Sequence, residues 1–529
     1  MVFRTFRRLT VALPSLAALA LPSLAALALA PAVHAESAVP GRPVRAAVDC
    51  VAVLRIALAN ARITAANAVP PSDSLRALGQ KPYCRVEATV DAETHIVALL
   101  PDEWNGRFLM GGAGGYVGVV QNQYESTVHQ GYATVGTDAG HAAHPLTAGW
   151  ALGDERRIAD YGHRAVHRTA EVTKALIAAY YGRPAEHSYF IGCSNGGRQA
   201  LMEAQRYPAD FDGIVAIAPW LNPLEWAAAA VRNLQAQYPT GDLKTPVVTP
   251  AVLALLAAKV TDTCDAVDGV RDSILENPEA CGFRLASLPA CANEVTTDGC
   301  VTRAQRAALT AFTTPLAAGT LRYPGWPVGD EADPQGWGPW ITGPVADVME
   351  LTGRTVSTLQ GLVATQFFKY LVYGDSTWSY VGYDLARAAR DGAKVAAVVS
   401  AANPDLSAFR ARGGKLLLAH GWSDPALSAR ATIEYFRAVR RRTPGAASFT
   451  RLFLMPGVVH CGGGSGCDDA DFAGIIRRWV EQGEAPTRIV ARKLRDTQVV
   501  RTHPLCAYPM TAQFKGTGSP GDAAAFTCR

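Results

Sequence analysis

Short apolar runs separated by turn residues mark the first part of the chain. Residues 95–100, 107–110 and 132–137 each read as a strand followed by turn formers. A helical pattern then runs over about 161–181. Next come a strand at 188–192, a sharp turn and a helix over about 197–207. A further strand at 213–218 follows. Strands alternating with helices predict an α/β fold with a mainly parallel sheet.

From about 219 to 403 the pattern changes. Helical stretches at 249–259 and 302–314 are broken by turn-rich segments. Cys264, Cys281, Cys291 and Cys300 fall here, with Trp220, Trp226, Trp337, Trp340 and Trp378. This stretch reads as an insertion, a lid-like second domain. The α/β alternation resumes with a strand at 415–419, a helix at 426–440, a strand at 449–455 and a helix at 471–482. The expected organisation is a first core part over 36–219, a lid over 220–403 and a second core part over 404–529.

The N-terminus is a separate matter. Arg4, Arg7 and Arg8 precede a long apolar stretch that ends in Ala32-Val33-His34-Ala35. That order of charge, apolar run and small residues predicts a secretory signal peptide over 1–35. Pro14, Pro22 and Pro31 interrupt the stretch and argue against a membrane anchor. The expected destination is the periplasm or the exterior. The chain has 50 Lys+Arg and 46 Asp+Glu. Cleavage removes three arginines and no acid, so the mature protein is nearly neutral, and no nucleic-acid partner is expected. Eleven cysteines in an exported chain suggest disulfides, with one left over. None sits at a zinc-finger spacing, so no zinc site is expected from them.

The chemistry centres on Gly192-Cys193-Ser194-Asn195-Gly196, between a predicted strand and a predicted helix. That is the setting of a nucleophile elbow, where the backbone is strained and the flanking residues must be small. The competing reading is a strand-ending glycine turn. A serine nucleophile needs a base, and the base needs an orienting carboxylate. In this type of fold the acid and the histidine follow the serine in that order. Leu416-Leu417-Leu418-Ala419-His420-Gly421-Trp422-Ser423-Asp424 is an apolar strand running into a polar loop, with Asp424 where the acid belongs. The run from Leu452 to His460 is a second strand then loop, and His460 is the candidate base. His420 reads as a structural residue bonded to backbone, and His503 lies in a tail-like segment.

Cys193 precedes Ser194 and Cys461 follows His460. A disulfide between them would tether nucleophile to base; two buried thiols are the alternative. An oxyanion needs backbone donors. The Asn195 amide is one candidate. The other lies in Gly111-Gly112-Ala113-Gly114-Gly115, with Gly114 first and Gly115 next. This loop lacks the lysine and spacing of a phosphate-binding loop. In the insertion, Asp265, Asp268 and Asp272 fall within eight residues. Such a run reads either as a solvated turn or as calcium ligands that alternate carboxylates and carbonyls.

With these residues in view, the chain resembles the tannase and feruloyl esterase family over nearly all of its mature length. The resemblance rests on the GCSNGGRQ elbow, the Asp424 loop, His460-Cys461, the aspartate run, and Pro504-Leu505-Cys506 through Cys528. It implies an α/β-hydrolase core with a lid, and a triad of Ser194, Asp424 and His460. It implies structural calcium on the Asp265, Asp268 and Asp272 side chains and the Val270 and Ile274 carbonyls, and no organic cofactor. It also implies the pairs Cys50–Cys84, Cys193–Cys461, Cys264–Cys281, Cys291–Cys300 and Cys506–Cys528, leaving Cys467 without a role. The family hydrolyses esters of aromatic acids, galloyl and feruloyl esters among them, and relatives cleave the monoester of terephthalate and ethylene glycol. Candidate substrate contacts are Leu427, Trp340 and Phe368, then Trp337, Phe367 and Trp378, each of which reads equally as lid core; Lys369 and Arg354 are candidate cations for a substrate carboxylate, with nothing in the sequence to select them. A non-catalytic binding protein, and a peptidase or acyltransferase on the same fold, are the rival classes.

Overall fold

Nine strands build the central sheet of the computed structural model, which describes residues 43–529 except 74–75, 77–78, 296–298 and 344–357. The predicted signal segment and Arg354 lie outside the described residues. The strands are β1 (Ala61–Val69), β2 (Tyr83–Val90), β3 (Thr94–Pro101), β4 (Arg107–Gly111), β5 (Ala133–Thr137), β6 (His187–Cys193), β7 (Gly213–Ile217), β8 (Lys415–Gly421) and β9 (Thr450–Met455). Their spatial order is β1-β2-β3-β5-β4-β6-β7-β8-β9. From β5 across to β9 all pairings are parallel, while β1, β2, β3 and β5 pair antiparallel. The fold is the expected α/β one.

Burial explains which strands the pattern showed. Past its first residue β6 is wholly buried, and β8 likewise, so both read as continuous apolar runs. Truncating one of Leu416–Leu418 would cost about 2–5 kcal/mol. By contrast β1 is an edge strand with one buried residue, Ala66, and its alanine-rich run carries no strand signal. The predicted helices form as α1 (Ala165–Tyr181), α2 (Asn195–Arg206), α7 (Ala429–Arg442) and α8 (Phe472–Gln482). A π-helical turn, Asp160–Arg164, leads into α1. Helix α8 buries Phe472, Ala473, Ile475, Ile476 and Trp479, the three-to-four spacing of a core-facing stripe.

Between β7 and β8 lie α3 (Pro223–Gln237), α4 (Pro250–Cys264), α5 (Arg303–Thr313) and α6 (Leu359–Gln366). Helix α5 opens with a capping box, Thr302 and Gln305. The apolar side chains of this insertion cluster with Tyr116, Trp150, Tyr161 and Leu427, which lie outside the insertion. Insertion and core thus share one packed interior, and residues 43–529 form one compact unit.

Past α8 the chain forms a hairpin, β10 (Arg488–Arg495) and β11 (Gln498–Cys506). Here the structure corrects a reading: His503 is not in a tail but buried on β11, with Nε2 2.9 Å from Glu276 Oε2. Five disulfides join the ten cysteines in the pairs that the resemblance implies. Cys467 is free and buried, and burial pushes its thiol up to about 11, which keeps it inert near neutral pH. No helix among the described residues is long and apolar enough to cross a membrane.

Candidate active site

Ser194 occupies the turn between β6 and α2 with φ 63° and ψ −123°, a conformation that costs a non-glycine residue energy. Close packing enforces the glycines around it. A Cβ on Gly192 would lie 2.6 Å from the Gly196 carbonyl, and one on Gly197 would lie 2.6 Å from the Ile217 oxygen. The Ser194 amide donates to Ile217 at 3.0 Å, which ties the turn to β7. As the first residue of α2, Asn195 has an N–H with no partner inside the helix.

Asp424 lies in the loop after β8 and is fully buried. Its Oδ1 accepts from the amides of Ala426 at 2.8 Å and Leu427 at 2.9 Å. Residues 424–428 therefore wrap the carboxylate, and α7 starts at Ala429 rather than at 426. Its Oδ2 is 2.8 Å from His460 Nδ1. Burial opposes the charge. The His460 charge and the bonds from His420 and His460 outweigh it, and the carboxyl is held well below the usual carboxylate range. With Nδ1–H donated to Asp424, His460 keeps Nε2 as an acceptor.

His420 is on β8 itself, with Nδ1 2.8 Å from the Thr432 hydroxyl and Nε2 3.0 Å from the Leu427 carbonyl. The backbone contact is as read from sequence. Two contacts are new, the one to Thr432 and a third in which Nε2 lies 3.3 Å from Asp424 Oδ2, so two imidazoles hold one oxygen.

Cys193 and Cys461 are disulfide-bonded with Cα atoms 5.9 Å apart, so the serine and histidine loops are joined one residue from each. Ser194 Oγ makes no hydrogen bond to any of the described residues; such bonds often tighten only when substrate is bound.

The glycine-rich loop after β4 is clamped to α2. Ala113 donates its amide to Gln199 Oε1 at 3.1 Å, and its carbonyl accepts from Asn195 Nδ2 at 3.0 Å. Asn195 Oδ1 in turn accepts from Tyr161 at 2.9 Å and from buried Arg198 at 2.8 Å. Gln123 Oε1 accepts the Cys193 amide at 2.9 Å. Sequence reasoning missed Gln123, Tyr161, Arg198 and Gln199; only the GRQ of the elbow motif hinted at the last two. The two candidate amides of this loop differ in their engagement. The Gly114 amide is engaged by Gln121 Oε1 at 2.9 Å, whereas the Gly115 amide has no partner among the described residues.

The substrate candidates separate by burial. Trp340 is half-buried, with its ring 5.2 Å from the His460 ring at 69°. Phe368 does not line the site: it is fully buried, stacked on Trp378 at 4.9 Å. Leu427 is also core, 5% exposed, and serves Asp424 and His420 through its backbone. Trp337 and Phe367 are buried, and Trp378 packs on Phe368. Lys369 is half-buried in the π-helical turn Phe367–Val372.

In the aspartate run each carboxylate folds the loop around itself. Asp265 Oδ1 accepts from Asp272 at 3.2 Å and Ser273 at 2.7 Å, Asp268 Oδ1 from Val270 at 3.1 Å, and Asp272 Oδ1 from Ile274 at 3.2 Å. Asp265 and Asp268 are buried. Burial pushes Asp268 up to about 6, against the Val270 amide. Arg501 pairs with Asp272. Asp272 is only half-buried, and the three carboxylates bond the loop's own amides and Arg501 rather than bringing three oxygens within 4.8 Å of one another, so the run is not closed around an ion here.

The sheet order and the strained serine at the end of β6 define an α/β-hydrolase. The chain belongs to the tannase and feruloyl esterase family, whose model matches residues 77–529. A mono(2-hydroxyethyl) terephthalate hydrolase from Piscinibacter sakaiensis is 32% identical over 533 residues, 87% of this chain and 87% of that protein. Feruloyl esterase B from Aspergillus niger is 31% identical over 479 residues, 84% of this chain and 86% of that one. The crystal structure of feruloyl esterase B from Aspergillus oryzae matches with a TM-score of 0.79 at 26% identity, over 91% of this chain and 99% of that chain. The protein is a carboxylic ester hydrolase.

Proposed function

We infer that the protein is an exported serine esterase for carboxylic esters of aromatic acids, working through an acyl-enzyme on Ser194. The observation that carries this is the His460–Asp424 bond, on a histidine whose neighbour is disulfide-bonded beside Ser194. Ser194 Oγ attacks the ester carbonyl while His460 Nε2 takes its proton. Asp424 stabilises the imidazolium, and His460 returns the proton to the leaving alcohol. Water then attacks the acyl-enzyme with His460 again as base. The amides of Asn195 and Gly115 receive the oxyanion. Trp340, at the edge of the His460 ring, supplies an aromatic face for the acyl group. Residues 220–403 act as the lid. The five disulfides favour an oxidising compartment. Asp265, Asp268 and Asp272, with the Val270 and Ile274 carbonyls, would be drawn together by a structural calcium ion.

The test is turnover of methyl ferulate, methyl gallate, chlorogenate and the terephthalate monoester by purified enzyme, with Ser194→Ala as control. The variant should keep the thermal midpoint and lose turnover. A Ser194→Ala protein with full activity overturns the mechanism. Hydrolysis of peptides but of none of these esters overturns the substrate class.

A further inference from the structure

Away from the triad, His167, Glu203 and Asp210 each bring a ligand atom within 4.8 Å of the others. No other three His, Cys, Asp or Glu side chains do so among the described residues. They come from three elements: the first turn of α1, the third turn of α2 and the loop before β7. Glu203 is 1% exposed, and neither of its carboxylate oxygens has a hydrogen-bond partner. The group it faces is another carboxylate, Asp210. Two carboxylates cannot donate to each other, so something positive belongs between them: a shared proton or a cation.

The rest of the cluster favours a cation. His167 Nδ1 is 2.6 Å from Asp210 Oδ2. Its Nε2 lies 3.5 Å from Glu171, and its ring stacks on Tyr207 at 3.8 Å with 4° between planes. The imidazole is thus fixed in orientation with a carboxylate on its far side, as metal-ligating histidines are. Lys174 bonds the main-chain carbonyl of Asp210 and makes no hydrogen bond or ion pair with either carboxylate, though its charge acts on both from a distance. The His167 side chain is 22% exposed, which gives an ion a way in.

We propose that His167, Glu203 and Asp210 bind one divalent transition-metal ion, best matched by zinc, at a site separate from the triad and from the aspartate loop. One imidazole and two carboxylates form an N/O set of the kind that zinc takes, at about 2.0–2.2 Å per bond. Adjacent ligands of a tetrahedral ion at those lengths lie about 3.3 Å apart, so the cluster closes around the ion with shifts of about an ångström. Water from the His167 side completes the shell. Glu203 is nine positions beyond Ser194, roughly 13 Å along α2. The ion therefore clamps α1, α2 and the β7 entry loop, and it takes no part in ester cleavage.

The experiment is calorimetric titration of untagged full-length protein with zinc chloride, in excess calcium so that the aspartate loop does not respond. The expected result is one zinc per chain with micromolar Kd, and at least tenfold weaker binding to Glu203→Gln. Without zinc, that variant should match the wild-type thermal midpoint, because its amide supplies the donor that faces Asp210. Should it fail to fold, His167→Gln, at a partly exposed position, takes the same comparison. Equal zinc affinity in the variant, or no binding to wild type at 100-fold higher concentration, overturns the site and leaves a shared proton between Glu203 and Asp210.

Discussion

Replacing Asp424 by asparagine separates the shape of the triad from its proton logic. The side chain has two inequivalent ends. One oxygen accepts the amides of Ala426 and Leu427, and the other meets His460 Nδ1. An asparagine that put its NH2 toward the two amides would leave both buried N–H groups without an acceptor. At about 1–3 kcal/mol each, that orientation loses by about 2–6 kcal/mol. The amide NH2 therefore faces His460 and obliges Nδ1 to accept. The ring proton moves to Nε2, which can no longer take the Ser194 proton. We expect kcat for methyl ferulate to fall about 10³–10⁴-fold, or about 4–5.5 kcal/mol. KM should barely move, since Asp424 is buried away from substrate. The assay is steady-state kinetics on protein whose far-UV circular dichroism matches wild type. A variant with kcat within tenfold of wild type would refute the tautomer argument.

Further outcomes follow from the same geometry. The double variant Cys193→Ala, Cys461→Ala opens a loop with a sequence separation of 268. The chain-entropy model gives a loss of about 5–6 kcal/mol, read by urea unfolding, and kcat should drop at least tenfold as Ser194 and His460 lose their tether. Trp340→Ala should lower kcat/KM for methyl ferulate about threefold to tenfold while sparing ethyl butyrate; an equal loss on both esters removes Trp340 from acyl recognition. Glu331 is fully buried, and burial pushes it up to about 7 from an ordinary 4.5. The folded state therefore holds its proton more tightly than the unfolded state does. That stability is complete below pH 4.5 and is lost as pH rises to 7, by up to about 3 kcal/mol. Glu331→Gln should flatten urea-unfolding stability across that window, and an unchanged slope would assign it to other groups.

Much of the site was legible because its signals are local. The elbow needs small residues at fixed offsets from Ser194, and steric contact with β7 and Gly196 is why. Strands buried on both faces, β6 and β8, announce themselves as apolar runs, and each delivers a site residue just past its end. Edge strand β1 and the β10–β11 hairpin were not legible, because mostly exposed strands carry mixed sequences. His503 shows the consequence, being buried against a residue more than two hundred positions away.

The sequence by itself determined the covalent and short-range facts: the order of serine, acid and histidine, the cysteines beside two of them, and the alternation that makes a parallel sheet. Tertiary structure alone decided which groups are free to act. It engaged the Gly114 amide with Gln121 and left Gly115 open. It put Trp340 against His460 and buried Phe368 against Trp378. It also set His420 beside Asp424 and brought Glu203 up to Asp210. Periodicity reports that a side chain is buried, whereas its partner depends on how distant elements pack, and hydrogen bonding and charge act only between groups that packing has brought within a few ångströms.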